Sequence, residues 1–215
     1  YVPRFDDEQN SSFVVDSWYK KSFWLYLLYP FSLIVSYITA RRRRKYLKGA
    51  SETHKSEVPV IVVGNLTIGG TGKTPLVKYI ASELLSLGYK PGLVSRGYGG
   101  KFKETLLVSD QTPVKQTGDE AQILATLNLP FYIDKSRVRA VKAITDNHDC
   151  DIIISDDGLQ HYKMNRDIEI VVIDGKRRFG NNLTFPAGPL RESKARLNSV
   201  DFIVNNSGPT DEGEY

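Results

Sequence analysis

Residues 67–74, Thr67-Ile68-Gly69-Gly70-Thr71-Gly72-Lys73-Thr74, place three glycines, a lysine and a hydroxyl directly after an apolar stretch, Val58 to Val63. Glycines at that spacing let consecutive backbone N–H groups close on a phosphate that side chains would otherwise hold off. A helix opening at this point adds its positive dipole end. Lys73 then reaches the β- and γ-phosphates, and the Thr74 hydroxyl is placed for Mg2+. Pro75 suits the first helical turn, where no intrahelical N–H partner is needed. The strict motif asks for glycine where this chain has Thr67, and the plainer alternative is a glycine-rich turn ahead of a chance Lys-Thr pair. With a strand before it and a helical pattern after it, the run predicts binding of a nucleoside triphosphate.

Acids and cations stand where such a ligand would need them. Ile152 to Asp157 reads as an apolar strand ending in two carboxylates, Asp156 and Asp157, and the end of a strand beside a phosphate loop is where an acid holds Mg2+. Adjacent strand residues point to opposite faces, so one acid meets the metal and the other orients a neighbour. A solvated Asp-Asp-Gly turn is the alternative. Asp119, in Thr117-Gly118-Asp119-Glu120, is either a helix N-cap or the carboxylate that accepts the proton of an attacking hydroxyl. Arg96, in Ser95-Arg96-Gly97-Tyr98-Gly99, brings a bidentate cation on a flexible glycine setting, which suits a phosphate. Pro186 to Glu192 is a rigid Pro/Gly loop presenting Arg191 and Glu192.

These residues require a scaffold that brings strand ends together. Strands are expected at Val58–Val63, Pro91–Val94, Asp151–Ser155, Ile168–Ile173 and Phe202–Val204, with helices at Pro75–Leu87, Glu120–Leu127 and Val138–Thr145. The stretch from Lys101 to Val114 has hairpin character. Alternating strands and helices imply an α/β fold with a mostly parallel sheet and ligands beyond the carboxyl ends of its strands. At 215 residues the chain can hold one large α/β domain or one domain plus a short extra piece. Its single cysteine, Cys150, cannot form an internal disulfide, and the three histidines show no metal-ligand spacing.

The N-terminal part has a different character. Between Trp18 and Gly49 there are eight basic residues, Lys20, Lys21, Arg41, Arg42, Arg43, Arg44, Lys45 and Lys48, and no acid. They flank Ser22 to Ala40, which carries no charge and as a helix would measure roughly 28 Å, close to the ~30 Å of bilayer hydrocarbon. Aromatic rings at positions 18, 19, 24, 26, 29 and 37 suit the headgroup level. Pro30 is expected to kink or break such a helix. Basic residues on both sides favour a segment lying in one leaflet of an anionic membrane, with a single span and a buried core helix as alternatives. No small-residue cleavage site marks a signal peptide. A nucleic-acid role is disfavoured, because the basic run adjoins an apolar segment and lacks interleaved base-stacking rings.

Together, Gly64-Asn65-Leu66-Thr67 through Thr74-Pro75, Ser95 to Gly99, Gly118-Asp119-Glu120, Asp156 to Tyr162 and the Pro186–Glu192 loop resemble the tetraacyldisaccharide 4'-kinase family. The resemblance runs from about Phe23 to Asn206. It implies a monomeric, atypical P-loop kinase that moves the ATP γ-phosphate onto the 4'-hydroxyl of a lipid A disaccharide 1-phosphate precursor. The expected location is the cytoplasmic face of the inner membrane of Gram-negative bacteria. It further implies that residues 67–74 bind nucleotide, that Asp119 is the catalytic base with Lys73 and Arg96 on the phosphates, and that Thr74, Asp156 and Asp157 hold Mg2+. Arg137, Gln160, His161, Arg191 and Glu192 would support phosphate, metal or acceptor binding. Thr67 agrees with the family's own pattern. The domain plan that follows is a tail at 1–21, a membrane-associated helical segment at 22–48 and a P-loop kinase domain at 58–207. The chain begins at Tyr1, its only methionine is Met164, and it ends at Tyr215 before a second lobe that would supply a histidine partner for Asp119, so both ends are expected to be missing. Two rivals remain. A membrane-positioning ATPase shares the glycine loop but carries a signature lysine where this chain has Ile68. A GTP-binding switch needs an Asn-Lys-x-Asp motif, to which Val204-Asn205-Asn206-Ser207 is only an approximation.

Overall fold

The computed structural model describes residues 8–20 and 22–207; Lys21 of the basic flank and the stretches 1–7 and 208–215 lie outside it. Seven strands form one sheet among the described residues: β1 (Val60–Gly64), β2 (Pro91–Ser95), β3 (Leu106–Leu107), β4 (Phe131–Ile133), β5 (Ile152–Asp156), β6 (Ile168–Asp174) and β7 (Phe202–Asn206). Their order is β3-β4-β2-β5-β1-β6-β7, parallel throughout except for β3 against β4. In the centre, Val60 lies beside Ile153 and Ile61 beside Ile168. Strands covered on both faces read as continuous apolar runs, and β1, β2 and β4 are buried at every position. Two apolar clusters fill the two faces, one around Val62, Val141, Ile153 and Leu159, the other around Val63, Val77, Leu93 and Phe131.

The helices of the domain are α3 (Lys73–Ser86), α4 (Val114–Thr117), α5 (Asp119–Ala125) and α6 (Arg137–Asn147), preceded by α1 (Glu8–Tyr19) and α2 (Tyr29–Leu47). The βα order holds, with the expected boundaries moved by no more than two residues and β4 added as a strand not expected from the sequence. Two expectations are corrected. The Lys101–Val114 stretch makes no hairpin of its own, because Leu106 and Leu107 pair with Ile133 and Tyr132 of β4, a partner far along the chain. Within the expected tail, residues 8–19 form a helix, whose Trp18 is buried and donates its indole N–H to Pro186 O at 3.1 Å.

Pro30 also acts differently from expectation. Phe23–Leu28 is a 3-10 turn, and Pro30 falls in the first turn of α2, where its missing N–H costs nothing. One seam of α2 docks on the 184–187 loop. The Ser32 hydroxyl donates to Thr184 O at 2.7 Å and accepts from the Ala187 N–H at 2.9 Å, and Ser36 lies 2.8 Å from the Thr184 hydroxyl. Further along, Arg43 donates to Ser199 and Tyr46 stacks on Tyr162. Away from that seam the first half of the helix exposes Phe31, Leu33, Ile34, Tyr37 and Ile38, and the second half exposes Arg41, Arg42, Arg44 and Lys45. A buried core helix is therefore excluded. By length and composition, Phe23–Leu47 is sufficient to cross a membrane.

Candidate active site

Strand β1 delivers the chain into the glycine loop at Gly64, where an added Cβ would sit 2.5 Å from that of Leu159. The carbonyls of residues 69–72 are then all engaged, the last by the first turn of the following helix. Asn65 donates to Gly69 O at 3.1 Å, the Arg177 guanidinium donates to Gly70 O, Asn206 donates to Thr71 O at 3.0 Å, and the Leu76 N–H reaches Gly72 O. The N–H groups of Gly69, Gly70, Thr71 and Gly72 find no partner among the described residues. With φ of 103° at Gly69 and 84° at Gly72, the loop takes a left-handed course that glycine alone adopts freely. Carbonyls turned out and N–H groups left free make an anion cradle. Its back is fastened to the Pro/Gly loop, through Ile68 N–H to Pro189 O at 2.8 Å and Arg191 N–H to Leu66 O at 2.7 Å. Thr67 is buried in an isolated bridge to Leu190.

Helix α3 starts at the end of this cradle, so Lys73 and Thr74 occupy its first turn and both are buried. The adjacent acids divide, but by a turn and not by strand alternation, because β5 ends at Asp156 and Asp157 follows it at a left-handed φ. Asp156 ends β5 only 1% exposed, and neither carboxylate oxygen has a partner among the described residues. Burial pushes its carboxyl up to about 6 despite the nearby Lys73. Asp157 turns the other way, at φ 49°, and meets Arg191 Nη1 at 2.9 Å and Lys73 Nζ at 3.6 Å. Burial opposes its ionisation, but Arg191 and Lys73 outweigh it and hold the carboxyl below the usual range.

An orphaned, nearly buried carboxylate costs free energy unless a cation meets it. A divalent ion fits here, with Asp156 and the Thr74 hydroxyl as the residues that would hold it, while Asp157 is already engaged. Among the described residues no three His, Cys, Asp or Glu gather as a metal group, so phosphate oxygens and water would complete the shell.

The supporting residues separate into two groups. Arg137 is 2% exposed and donates to the carbonyls of Asp134, Asp156 and Asp157 at 3.1, 2.9 and 3.2 Å. Burial lowers its guanidinium to about 10. It shapes the acidic turn from behind, through the carbonyls of Asp156 and Asp157. Glu192 is likewise withdrawn, buried against the Tyr162 hydroxyl at 2.7 and 2.8 Å. Gln160 stays at the site, donating to Asn65 O at 3.1 Å with its oxygen 3.5 Å from Arg191. Burial, aided by Arg137, Arg166, Arg42 and Arg96, depresses His161 to about 4, so it is neutral at physiological pH, and its Nε2 has no partner among the described residues.

Arg96 follows β2 and is exposed. Asp119 is the first residue of α5, exposed, and Gly118 rather than Asp119 is the N-cap. The two loops carrying these residues touch: a Cβ on Gly118 would fall 2.0 Å from Tyr98 O, and one on Gly100 2.2 Å from Gln116 O. Arg96 and Asp119 thus share the strand-end side of the sheet with Lys73, Thr74 and Asp156. Sequence reasoning missed Asn65, Arg177 and Asn206 as the donors that hold the loop. Arg177 and Asn206 act on it across 107 and 135 residues, and no local pattern signals that. A separate cavity of about 200 Å³ under the end of α2, lined by residues such as Arg43, Tyr162 and Arg196, includes none of the loop residues.

The family described as tetraacyldisaccharide-1-P 4'-kinase matches over residues 24–215. Among curated relatives, the tetraacyldisaccharide 4'-kinase of Psychromonas ingrahamii is 51% identical over 89% of this chain and 60% of its own length. That of Vibrio campbellii is 49% identical over 87% of this chain and 56% of its own. Among solved structures, the crystal structure of the "apo" form of LpxK from Aquifex aeolicus in complex with ATP superimposes with a TM-score of 0.78 at 33% identity, covering 86% of this chain and 59% of that one. The chain thus spans at most about 60% of the length of these relatives.

Proposed function

Since this chain belongs to the tetraacyldisaccharide-1-P 4'-kinase family, we propose that it carries the nucleotide-binding part of an ATP-dependent kinase acting on a lipid A disaccharide 1-phosphate. The observation that supports this most directly is the unpartnered Asp156 carboxylate at a strand end shared with a cradle of free N–H groups and with Lys73. In this reading residues 67–74 wrap the phosphates, and Lys73 leaves Asp157 for the β- and γ-oxygens. Mg2+, held by Thr74 and Asp156, would neutralise charge on the phosphates. Asp119 accepts the proton of the attacking 4'-hydroxyl, and Arg96 holds a phosphate across the cleft from Lys73. Little covalent chemistry is asked of the protein, because positioning and charge neutralisation carry phosphoryl transfer.

The lipid acceptor requires a membrane surface. Residues 22–48 would supply the docking segment and 58–207 the kinase domain, acting as a monomer on the cytoplasmic face of the inner membrane. The hydroxyl seam between α2 and the 184–187 loop favours a helix lying in one leaflet over a spanning one, since crossing the bilayer would break it. Ile68, where the positioning ATPases carry their signature lysine, and the family match both count against that rival.

Transfer of label from γ-labelled ATP to the disaccharide 1-phosphate in mixed micelles is the direct test. Lys73→Ala is expected to abolish nucleotide binding and transfer together. Asp119→Ala is expected to bind MgATP normally while losing transfer by a factor on the order of 100 or more. An Asp119→Ala protein with normal transfer would remove that residue from the mechanism.

A further inference from the structure

The glycine loop has no cation ahead of its glycines, since Ile68 stands there. One arrives instead from the turn after β6, the strand beside β1. Strand β6 ends at Asp174, whose carboxylate accepts from the N–H groups of Lys176 and Arg177 at 3.0 and 3.1 Å and from Arg177 Nε at 2.6 Å. Those bonds fold the turn back and aim the Arg177 guanidinium over the loop. It donates to Gly70 O, and its Nη1 lies 3.6 Å from where a Cβ on Gly69 would be. The side chain remains 42% exposed, so it is not walled in by its present partners. Gly69 and Gly70 occupy the middle of the loop, where the cradle of free N–H groups would meet the outer phosphates of a bound nucleotide.

We propose that Arg177 is a phosphate-contacting residue supplied by this same chain: its guanidinium, poised over Gly69 and Gly70, moves from the Gly70 carbonyl onto the terminal phosphate of the bound triphosphate. A carbonyl satisfies one N–H of a guanidinium, whereas a phosphate takes two in parallel with opposite charge. Charge spreads over the equatorial oxygens as the phosphoryl group transfers, and a cation placed there in advance is where electrostatic stabilisation is largest. Asp174 is then a positioning residue that aims Arg177. The inference rests on the nucleotide-binding reading above and names one further residue in it.

The test measures binding of MgATP and MgADP to the unaltered protein and to Arg177→Gln, Arg177→Lys and Asn206→Ala. Gln keeps a donor for Gly70 O but loses the charge, and the uncharged Asn206 supports the same loop through Thr71 O. A contact to the terminal phosphate predicts that Arg177→Gln weakens ATP by roughly tenfold or more and leaves ADP nearly unchanged. Arg177→Lys recovers part of that loss. Asn206→Ala weakens both nucleotides alike. Equal weakening of ATP and ADP in Arg177→Gln, or no weakening, overturns the proposal and leaves Arg177 as loop support. Failure of the unaltered protein to bind either nucleotide overturns the nucleotide-binding reading itself. Thermal melts of each variant confirm that folded proteins are compared.

Discussion

At the scale of single residues, Asp156 and His161 are held in protonation states that pull stability in opposite directions with pH. Native Asp156 keeps its proton up to about pH 6, while the unfolded carboxyl releases it near 3.8. The native state therefore binds more protons across that window, and stability falls as pH rises through it. Removing the charge removes the penalty. In buffer free of nucleotide and metal, Asp156→Asn should be more stable than the unaltered protein at pH 8, by up to about 3 kcal/mol, with the gain fading toward pH 4. Urea denaturation at both pH values measures this; equal stability at pH 8 would mean the carboxylate has a partner. His161 works the other way. The unfolded ring protonates below about 6.5 but the native ring only near 4, so acidification costs stability across that interval. His161→Asn should flatten the acid limb of the same curve. A site that stores a buried, unpaired acid is more stable with a cation-bearing ligand than without, and addition of MgATP should raise the melting temperature.

At the scale of elements, the feature that matters most is how loops are fastened from a distance. Ser32 on α2 satisfies both Thr184 O and the Ala187 N–H while only 2% exposed. Thr184 O also accepts from the Gly188 N–H at 3.0 Å, so Ser32→Ala should leave the Ala187 N–H buried without a partner, at a cost of roughly 1–3 kcal/mol. Hydrogen exchange should place the loss in α2 and the 184–187 loop; protection lost instead across the central strands would show that the seam is not a local device. Gly118 provides a second case. At φ 82° and with Tyr98 O only 2.0 Å from an added Cβ, it lets the Arg96 loop and the start of α5 meet. Gly118→Ala should therefore separate Arg96 from Asp119, lowering transfer far more than it lowers affinity for ATP.

For the whole molecule, the exposed apolar face of α2 and its basic C-terminal turn lie on one docked helix, so the proposed membrane contact would set the orientation of the proposed active site. Replacing Arg41, Arg42, Arg44 and Lys45 with glutamine should weaken binding to vesicles containing anionic lipid by about 1 kcal/mol per residue, and high salt should do the same to the unaltered protein. Flotation assays at two ionic strengths measure both. Salt-resistant flotation of the substituted protein would shift the weight to apolar insertion alone.

Much of this protein is legible along the chain, because strong local rules act there. Apolar runs of strand length, a glycine loop between a strand and a helix, and acids closing a strand are each decided within about ten residues. The βα order, the phosphate loop and the pair at Asp156 and Asp157 follow from those rules. What the tertiary structure alone decided is which groups meet. Leu106 and Leu107 pair with a strand rather than with each other's neighbours. Arg137 and Glu192, expected only to support the site, are held inside by backbone carbonyls and a tyrosine. Asp157 is neutralised by Arg191, leaving Asp156 as the unpaired acid. The glycine loop is held open by Arg177 and Asn206, which lie more than a hundred residues away along the chain. The physical reason is common to all four. Local sequence sets the torsions and the pattern of burial, whereas the partner of a buried charge is chosen by the sheet that brings distant strand ends to one edge.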